Sequence, residues 1–222
     1  MDRRTSIFIF PAIVVLFICF GTPAAAMADT YKIDIGILLT GTAPAGTGPW
    51  LTAVFQDLAD NQVKLTLISN LENAGDIKGA KNDKGVQGWT FNFDGRPSTL
   101  SIVDSKSTDG IFASHIGLDS DALKMPSSGG FDVGFDWAAK ERFQGSAIES
   151  YIITGDGIRA LDFMAKNADG YYSGAHIQDL ANGKSGTIVA TAYSEVPEPS
   201  LVILLGVSLG ALSLLLRRLS NF

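Results

Sequence analysis

Few side chains in this chain could carry chemistry. His115 and His176 are its only histidines, and two imidazoles among many carboxylates make a metal site or a Ser-His-Asp triad only where folding brings them together. Nothing in their spacing requires that meeting, so a structural or surface role is the plainer expectation. Asp119 and Asp121 stand two apart, as pairs of oxygen ligands do in calcium loops, and the stretch 104–110 has an acid near each end. The EF-hand pattern fails there, because Lys106 and Thr108 take ligand positions and no glutamate follows at the required distance. An irregular calcium loop is the alternative to solvated acids, and no other cofactor is expected.

Asp132 and Asp136 flank Gly134 and invite a two-carboxylate glycosidase reading. The apolar set Phe131, Val133, Phe135 and Trp137 would face inward, which places both acids on the water side of a strand instead. Gly183-Lys184-Ser185 has the closing residues of a phosphate loop, but Gln178 stands where the leading glycine belongs, so a turn is expected. With no GxSxG elbow, HExxH helix or complete P-loop, the chain is expected not to be an enzyme.

Strands must position these residues. Tyr31, Ile33, Ile35 and Ile37 alternate with Lys32, Asp34 and Gly36, and Val63, Leu65 and Leu67 alternate with polar neighbours. Further runs stand at 89–93, 100–103, 131–137, 151–154, 160–164 and 187–191. Such alternation sets one row of side chains in a core and the other in water, as in half-buried antiparallel strands. Between the runs lie 41–49, 73–88, 94–97, 126–130, Asp169-Gly170 and Asn182-Gly183, whose glycines, asparagines and aspartates supply the positive φ angles of tight turns. No helical stripe stands between the termini, although 138–144 has room for a short turn. The expected fold is all-β, an antiparallel β-sandwich.

The ends have a different composition. Arg3 and Arg4 precede an apolar stretch over 7–20, and Ala24-Ala25-Ala26-Met27-Ala28 offers small-residue sites, so residues 1–28 read as a secretory signal peptide. Cleavage after Ala28 uses Ala26 and Ala28; cleavage after Ala26 would use Ala24. Cys19, the only cysteine, lies in the apolar stretch, leaving the ectodomain over 29–195 with no thiol for a disulfide, a nucleophile or a metal. Residues 29–196 carry ten lysines and three arginines against twenty-one carboxylates, a net charge of −8. That charge repels phosphate backbones, so no nucleic-acid partner is expected.

Residues 196–222 form the second addressing segment. Pro197, Glu198 and Pro199 make a stiff extended strand, since each proline fixes φ near −65° and holds the residue before it out of the helical region. Sixteen uncharged and almost wholly apolar residues follow, 201–216, and then Arg217 and Arg218. As a helix the span rises about 24 Å, short of a hydrocarbon core of about 30 Å, and snorkelling arginines with local thinning close the gap. The basic pair marks the cytoplasmic side, in agreement with an exported body. Gly206 and Gly210 give the span a small-residue spacing known from helix dimers.

This tail resembles the PEP-CTERM sorting signal of Gram-negative envelope proteins, with triplet, span and basic stop in order. The resemblance covers about the last tenth of the chain. It implies that Pro197, Glu198 and Pro199 are read by exosortase, a multi-spanning membrane enzyme of the cysteine transpeptidase type, with Arg217 and Arg218 as the membrane stop. The implied route runs through the Sec export machinery and signal peptidase to a single-pass inner-membrane precursor, then to the cell surface or an exopolysaccharide matrix such as a biofilm. The segments Phe131-Asp132-Val133-Gly134-Phe135-Asp136-Trp137, Tyr151-Ile152-Ile153-Thr154-Gly155 and Ala175-His176-Ile177-Gln178 are also similar to ectodomain segments that travel with such tails; they transfer no catalytic residue.

A non-enzymatic envelope protein is therefore the expected class. A polysaccharide hydrolase would need two carboxyls about 5 to 10 Å apart in an aromatic-lined cleft. A glycan-binding adhesin would need exposed aromatic faces, for which Trp50, Trp89 and Trp137 are available.

Overall fold

The computed structural model describes residues 28–58, 61–71, 76–77, 88–138, 143, 145–180, 184–197, 206 and 209–210. Ala26, Glu198, Pro199, Arg217, Arg218 and the Asn182-Gly183 turn lie outside the described residues. Within them the chain is all-β. Its strands are β1 (Thr30–Ile35), β2 (Ile37–Gly41), β3 (Leu51–Leu58), β4 (Gln62–Ser69), β5 (Asp76–Ile77), β6 (Trp89–Phe91), β7 (Ser101–Ser107), β8 (His115–Lys124), β9 (Gly130–Asp136), β10 (Ile148–Thr154), β11 (Ser173–Leu180), β12 (Lys184–Ala190) and β13 (Ser194–Glu195).

Two antiparallel sheets result. The first runs β13-β1-β3-β4-β10-β7, and the second runs β2-β12-β11-β6-β9-β8 with β5 added on β11. The inward rows of both meet in one core: Ile33, Phe55, Leu65 and Tyr151 from the first sheet, Trp89, Phe91, Phe135 and Ile177 from the second. Phe55 and Phe91 touch edge to face across the gap at 5.3 Å. Each such aromatic, withdrawn from water, stabilises the fold by about 2–3 kcal/mol.

β1 shows how sequence becomes register. Tyr31, Ile33 and Ile35 are buried while Thr30, Lys32 and Asp34 are half-exposed, as the alternation requires. Ile37 departs from that row and is 47% exposed. The cause is Gly36, where the chain leaves the first sheet for the second, and Trp50 N–H seals the end of β1 by donating to Ile35 O at 3.0 Å. Gly48 backs onto this crossing so closely that a Cβ there would come within 2.8 Å of Gly36 Cα. A side chain at Gly48 would force this crossing apart.

The stretch 160–164 is not the strand its apolar residues suggest. Ala160–Phe163 forms a 3-10 turn whose buried residues, Ala160 and Phe163, are three apart. Asp162 Oδ2 accepts the Arg159 N–H at 2.8 Å and Asp57 Oδ1 accepts the Ala160 N–H, and these carboxylates satisfy the donors that open a turn. Phe163 then stacks on Phe55 at 4.6 Å.

Both ends of the body lie on one sheet edge. β13 pairs with β1 through Tyr31 opposite Glu195 and Lys32 opposite Ser194, and Val196 N–H donates to Thr30 O at 2.8 Å. Pro197, next along, is exposed. Of the expected span, Gly206, Leu209 and Gly210 are described, all helical and exposed. Among the described residues no helix is long and apolar enough to cross a membrane.

Candidate functional site

A groove of about 470 Å3 opens between the two segments that carry the chain from one sheet to the other. Gly36 and Pro49 line one side and Thr191 and Tyr193 the other, with Lys32 and Asp34 along β1. Lys32 and Asp34 are two apart on one strand, so they share a face. Lys32 Nζ lies 2.7 Å from Asp34 Oδ2, and both side chains are a little over one-third exposed. Asp34 Oδ1 accepts the Thr52 hydroxyl at 2.8 Å, and Thr52 Oγ1 in turn accepts from Asn70 Nδ2 at 3.3 Å. The carboxylate plane is thereby fixed from below. Tyr193, 40% exposed, is braced edge-on by Tyr31 at 6.0 Å and Tyr172 at 5.2 Å.

A second polar cluster sits where water is excluded. Glu149 on β10 is fully buried. Its Oε1 accepts the Trp137 indole N–H at 2.8 Å, and its Oε2 accepts the Tyr151 hydroxyl at 2.5 Å. Tyr151 Oη accepts the Ala113 N–H at 2.9 Å. Trp137 directly follows β9, so this carboxyl ties the two sheets together. Burial pushes Glu149 up to about 7, with the Tyr151 and Trp137 hydrogen bonds pulling against it and Asp109 and Asp104 adding to the rise. Burial also pushes the Tyr151 hydroxyl up, with Glu149 adding to the rise. The cluster joins Trp137 and Tyr151 of the shared core, so its perturbed acid reads as architecture, although perturbed groups often mark active sites.

The structure separates the two histidines. His115 is exposed at the start of β8, whereas His176 on β11 is half-buried, three strand spacings away or roughly 14 Å. His176 Nδ1 lies 3.3 Å from Thr187 Oγ1, and burial lowers its pKa. They do not form one site.

The placing of Asp132 and Asp136 in water is corrected. Asp132 is only 9% exposed: Oδ2 accepts Phe93 N–H and Oδ1 accepts Asp121 N–H, both at 2.9 Å. Asp136 is half-buried and accepts the Gly88 N–H at 2.7 Å; burial raises its pKa, against the pull of Gly88 and His115. The reason is that β9 lies between β6 and β8, and where those ladders break, at Phe93 and at the β8 irregularity after Leu118, backbone donors need acceptors. Both acids cap backbone N–H groups. Asp119 and Asp121 fall in that irregularity, both exposed, with Asp121 at φ 53°. Among the described residues no group of three or more His, Cys, Asp or Glu is arranged to hold a metal.

The tryptophans are corrected as well. Trp50, Trp89 and Trp137 are 8%, 0% and 2% exposed. Each indole N–H has an internal acceptor, Ala45 O at 3.1 Å, Ser173 Oγ at 3.0 Å and Glu149. None of them can offer a face to a glycan. The missed acid is Glu149. A signal for Glu149 was present: it stands two before Tyr151 and four before Ile153, in the row that faces the core.

No protein-family model matches the chain, and no curated protein or solved structure matches it either.

Proposed function

We propose that this is an exported cell-envelope protein, a β-sandwich ectodomain between a signal peptide and a single C-terminal membrane helix, and that exosortase reads and processes its PEP-CTERM tail. The ectodomain serves a structural or binding role at the surface or in the extracellular matrix, without catalysis of its own. The observation that carries the reading is the ordered tail: Pro197, Glu198 and Pro199, then Ser200 and the sixteen uncharged residues 201–216, then Arg217 and Arg218. The fold supports it at one point. Among the described residues the last backbone bond of the body is the Val196 N–H to Thr30 O, and the triplet opens one residue later with a proline, which has no N–H to extend the ladder.

The alternatives draw less support. The hydrolase reading loses Asp132 and Asp136 to backbone capping, and the adhesin reading loses its three tryptophans to the core. The test is processing of Glu198→Ala and Pro199→Ala in a strain that carries exosortase, followed by membrane fractionation and intact mass. Both variants are expected to stay in the inner membrane with the span attached. Equal loss of the C-terminal segment in wild type and variants would make the triplet a linker and sink the sorting assignment.

A further inference from the structure

We propose that cleavage after Ala28 does more than free the body: it creates an α-ammonium on Asp29 that docks in a carboxylate-rimmed corner formed by Asp57, Glu195 and the Tyr31 hydroxyl. The docked charge pins the start of β1 in the mature protein. This device depends on the reading of residues 1–28 as a signal peptide.

The backbone fixes where the new charge falls. β1 and β3 pair antiparallel with Thr30 opposite Gln56 and Tyr31 opposite Phe55, so the next pair in that register is Asp29 with Asp57. Asp57 N–H donates to Asp29 O at 2.9 Å. In an antiparallel ladder the N–H and C=O of one residue point toward the same neighbour, so the Asp29 nitrogen faces Asp57 too. Among the described residues it makes no return bond. Once released from the planar amide to Ala28, that nitrogen can turn freely and offers three charged donors.

Register also gathers the acceptors on one face. Tyr31 stands opposite Glu195 on β13 and opposite Phe55 on β3, and residues two apart on a strand share a face. Asp29, Tyr31, Asp57 and Glu195 therefore lie on the core-side face at its open end, whereas Lys32 and Asp34 lie on the other. Opposed side chains stand roughly 5 Å apart at Cβ and diagonal ones roughly 7–8 Å. Asp57 is thus the nearest partner strand carboxylate, and Glu195 the next.

Carboxylates crowd this corner. Tyr31 is only 8% exposed, yet its hydroxyl has no hydrogen-bond partner among the described residues. Burial raises its pKa, and Asp29, Glu195, Asp57 and Tyr193 add to the rise. Burial also raises the pKa of Asp57 against the pull of the Ala160 N–H, with Asp29 and Asp162 adding and Arg159 opposing. Arg159 is shared with Asp162, 3.7 Å away, and the Lys166 ammonium sits over the Tyr172 ring at 5.1 Å. An ammonium on Asp29 would be the charge that faces Asp57 directly.

The position links the two ends of the body. Val196 N–H donates to Thr30 O at 2.8 Å, so the same register carries Pro197 to the level of Asp29. Removal of the signal peptide would secure the strand end beside which the tail departs. A cation that folding favours contributes stability fully below its unfolded value, about pH 7.7, and loses it as pH rises through the raised folded value.

The experiment uses the exported chain, whose intact mass gives its first residue. Trace acetylation over a pH series, read by mass spectrometry of the N-terminal peptide, titrates the α-amine in the folded chain and in urea. The folded amine is expected to hold its proton about tenfold more tightly than the unfolded one. Asp57→Asn should weaken that hold about threefold or more and Glu195→Gln by less, while Asp34→Asn on the other face leaves it unchanged. The asparagine amide still accepts the Ala160 N–H, so Asp57→Asn removes the charge and keeps the turn. A chain that begins elsewhere than Asp29 overturns the signal-peptide boundary and the docking with it. A chain that begins at Asp29 but holds this proton no more tightly folded than unfolded, or equally tightly in Asp57→Asn and Glu195→Gln, overturns the docking alone.

Discussion

Glu149 and Asp34 are both carboxylates on the six-stranded sheet, and each is held by a hydroxyl, Tyr151 at 2.5 Å and Thr52 at 2.8 Å. Glu149 is fully buried between the sheets, where the missing hydration lifts its pKa to about 7. Asp34 stands on β1, next to the edge strand β13, over one-third exposed, with Lys32 as partner. The first acid ties the two sheets together through Trp137 and Tyr151; the second stands at the surface. Buried and surface carboxylates are thus held by different kinds of partner, and the groove lies at the edge where β13 pairs with β1.

The sharpest way to break that division is Glu149→Ala. It leaves the Trp137 N–H and Tyr151 hydroxyl without their acceptor and opens a cavity, a loss of roughly 2–4 kcal/mol. Thermal melting at pH 5 should fall by about 5–15 °C. A change under about 2 °C would remove Glu149 from the core account.

Next in size is the dependence on pH. The folded carboxyl keeps its proton to about pH 7, while an unfolded glutamate releases it near pH 4.3. The folded state therefore binds the extra proton between these values. That contribution to stability is fully present below about pH 4.5 and is lost as pH rises through 7, on the order of 3 kcal/mol in all. Glu149→Gln should flatten the fall, because an amide still accepts from Trp137 and still partners Tyr151. Chemical denaturation from pH 4 to 8 measures it. A wild-type curve that rises with pH over this window would contradict the raised pKa.

Asp132→Ala comes third. Removing the acceptor of two backbone N–H groups should lower stability by about 1–2 kcal/mol, and hydrogen exchange at Phe93 and Asp121 should quicken. At the edge, Asp34→Asn should change stability by less than about 1 kcal/mol, as exposed pairs do. A larger loss would make the Lys32–Asp34 pair structural.

Much of the body was legible in residue order. Where one face is dry and the other wet, period-two patterning survives, as in Tyr31-Ile33-Ile35 and Val63-Leu65-Leu67. β3 hides because Leu51, Thr52 and Ala53 are all buried, which erases alternation. β8 hides for the opposite reason, being mostly polar and broken by its irregularity after Leu118. Ala160–Phe163 misleads because a 3-10 turn can be as apolar as a strand, with carboxylates from elsewhere satisfying its open donors. The groove could not be read at all: Lys32 and Asp34 are visible as outward residues, but only the pairing of β13 with β1 brings Ser194 opposite Lys32. Glu149 shows the general difficulty, since spacing says which row an acid occupies and not whether indole and phenol donors await it there.

The central claim, that a folded body is joined to a separately read address, is tested most directly by intact mass of the protein recovered from one strain with exosortase and one without. The account predicts that the first chain lacks the segment beyond the Pro197-Glu198-Pro199 region while the second retains it, and that both melt at the same temperature. Identical masses from the two strains would contradict it.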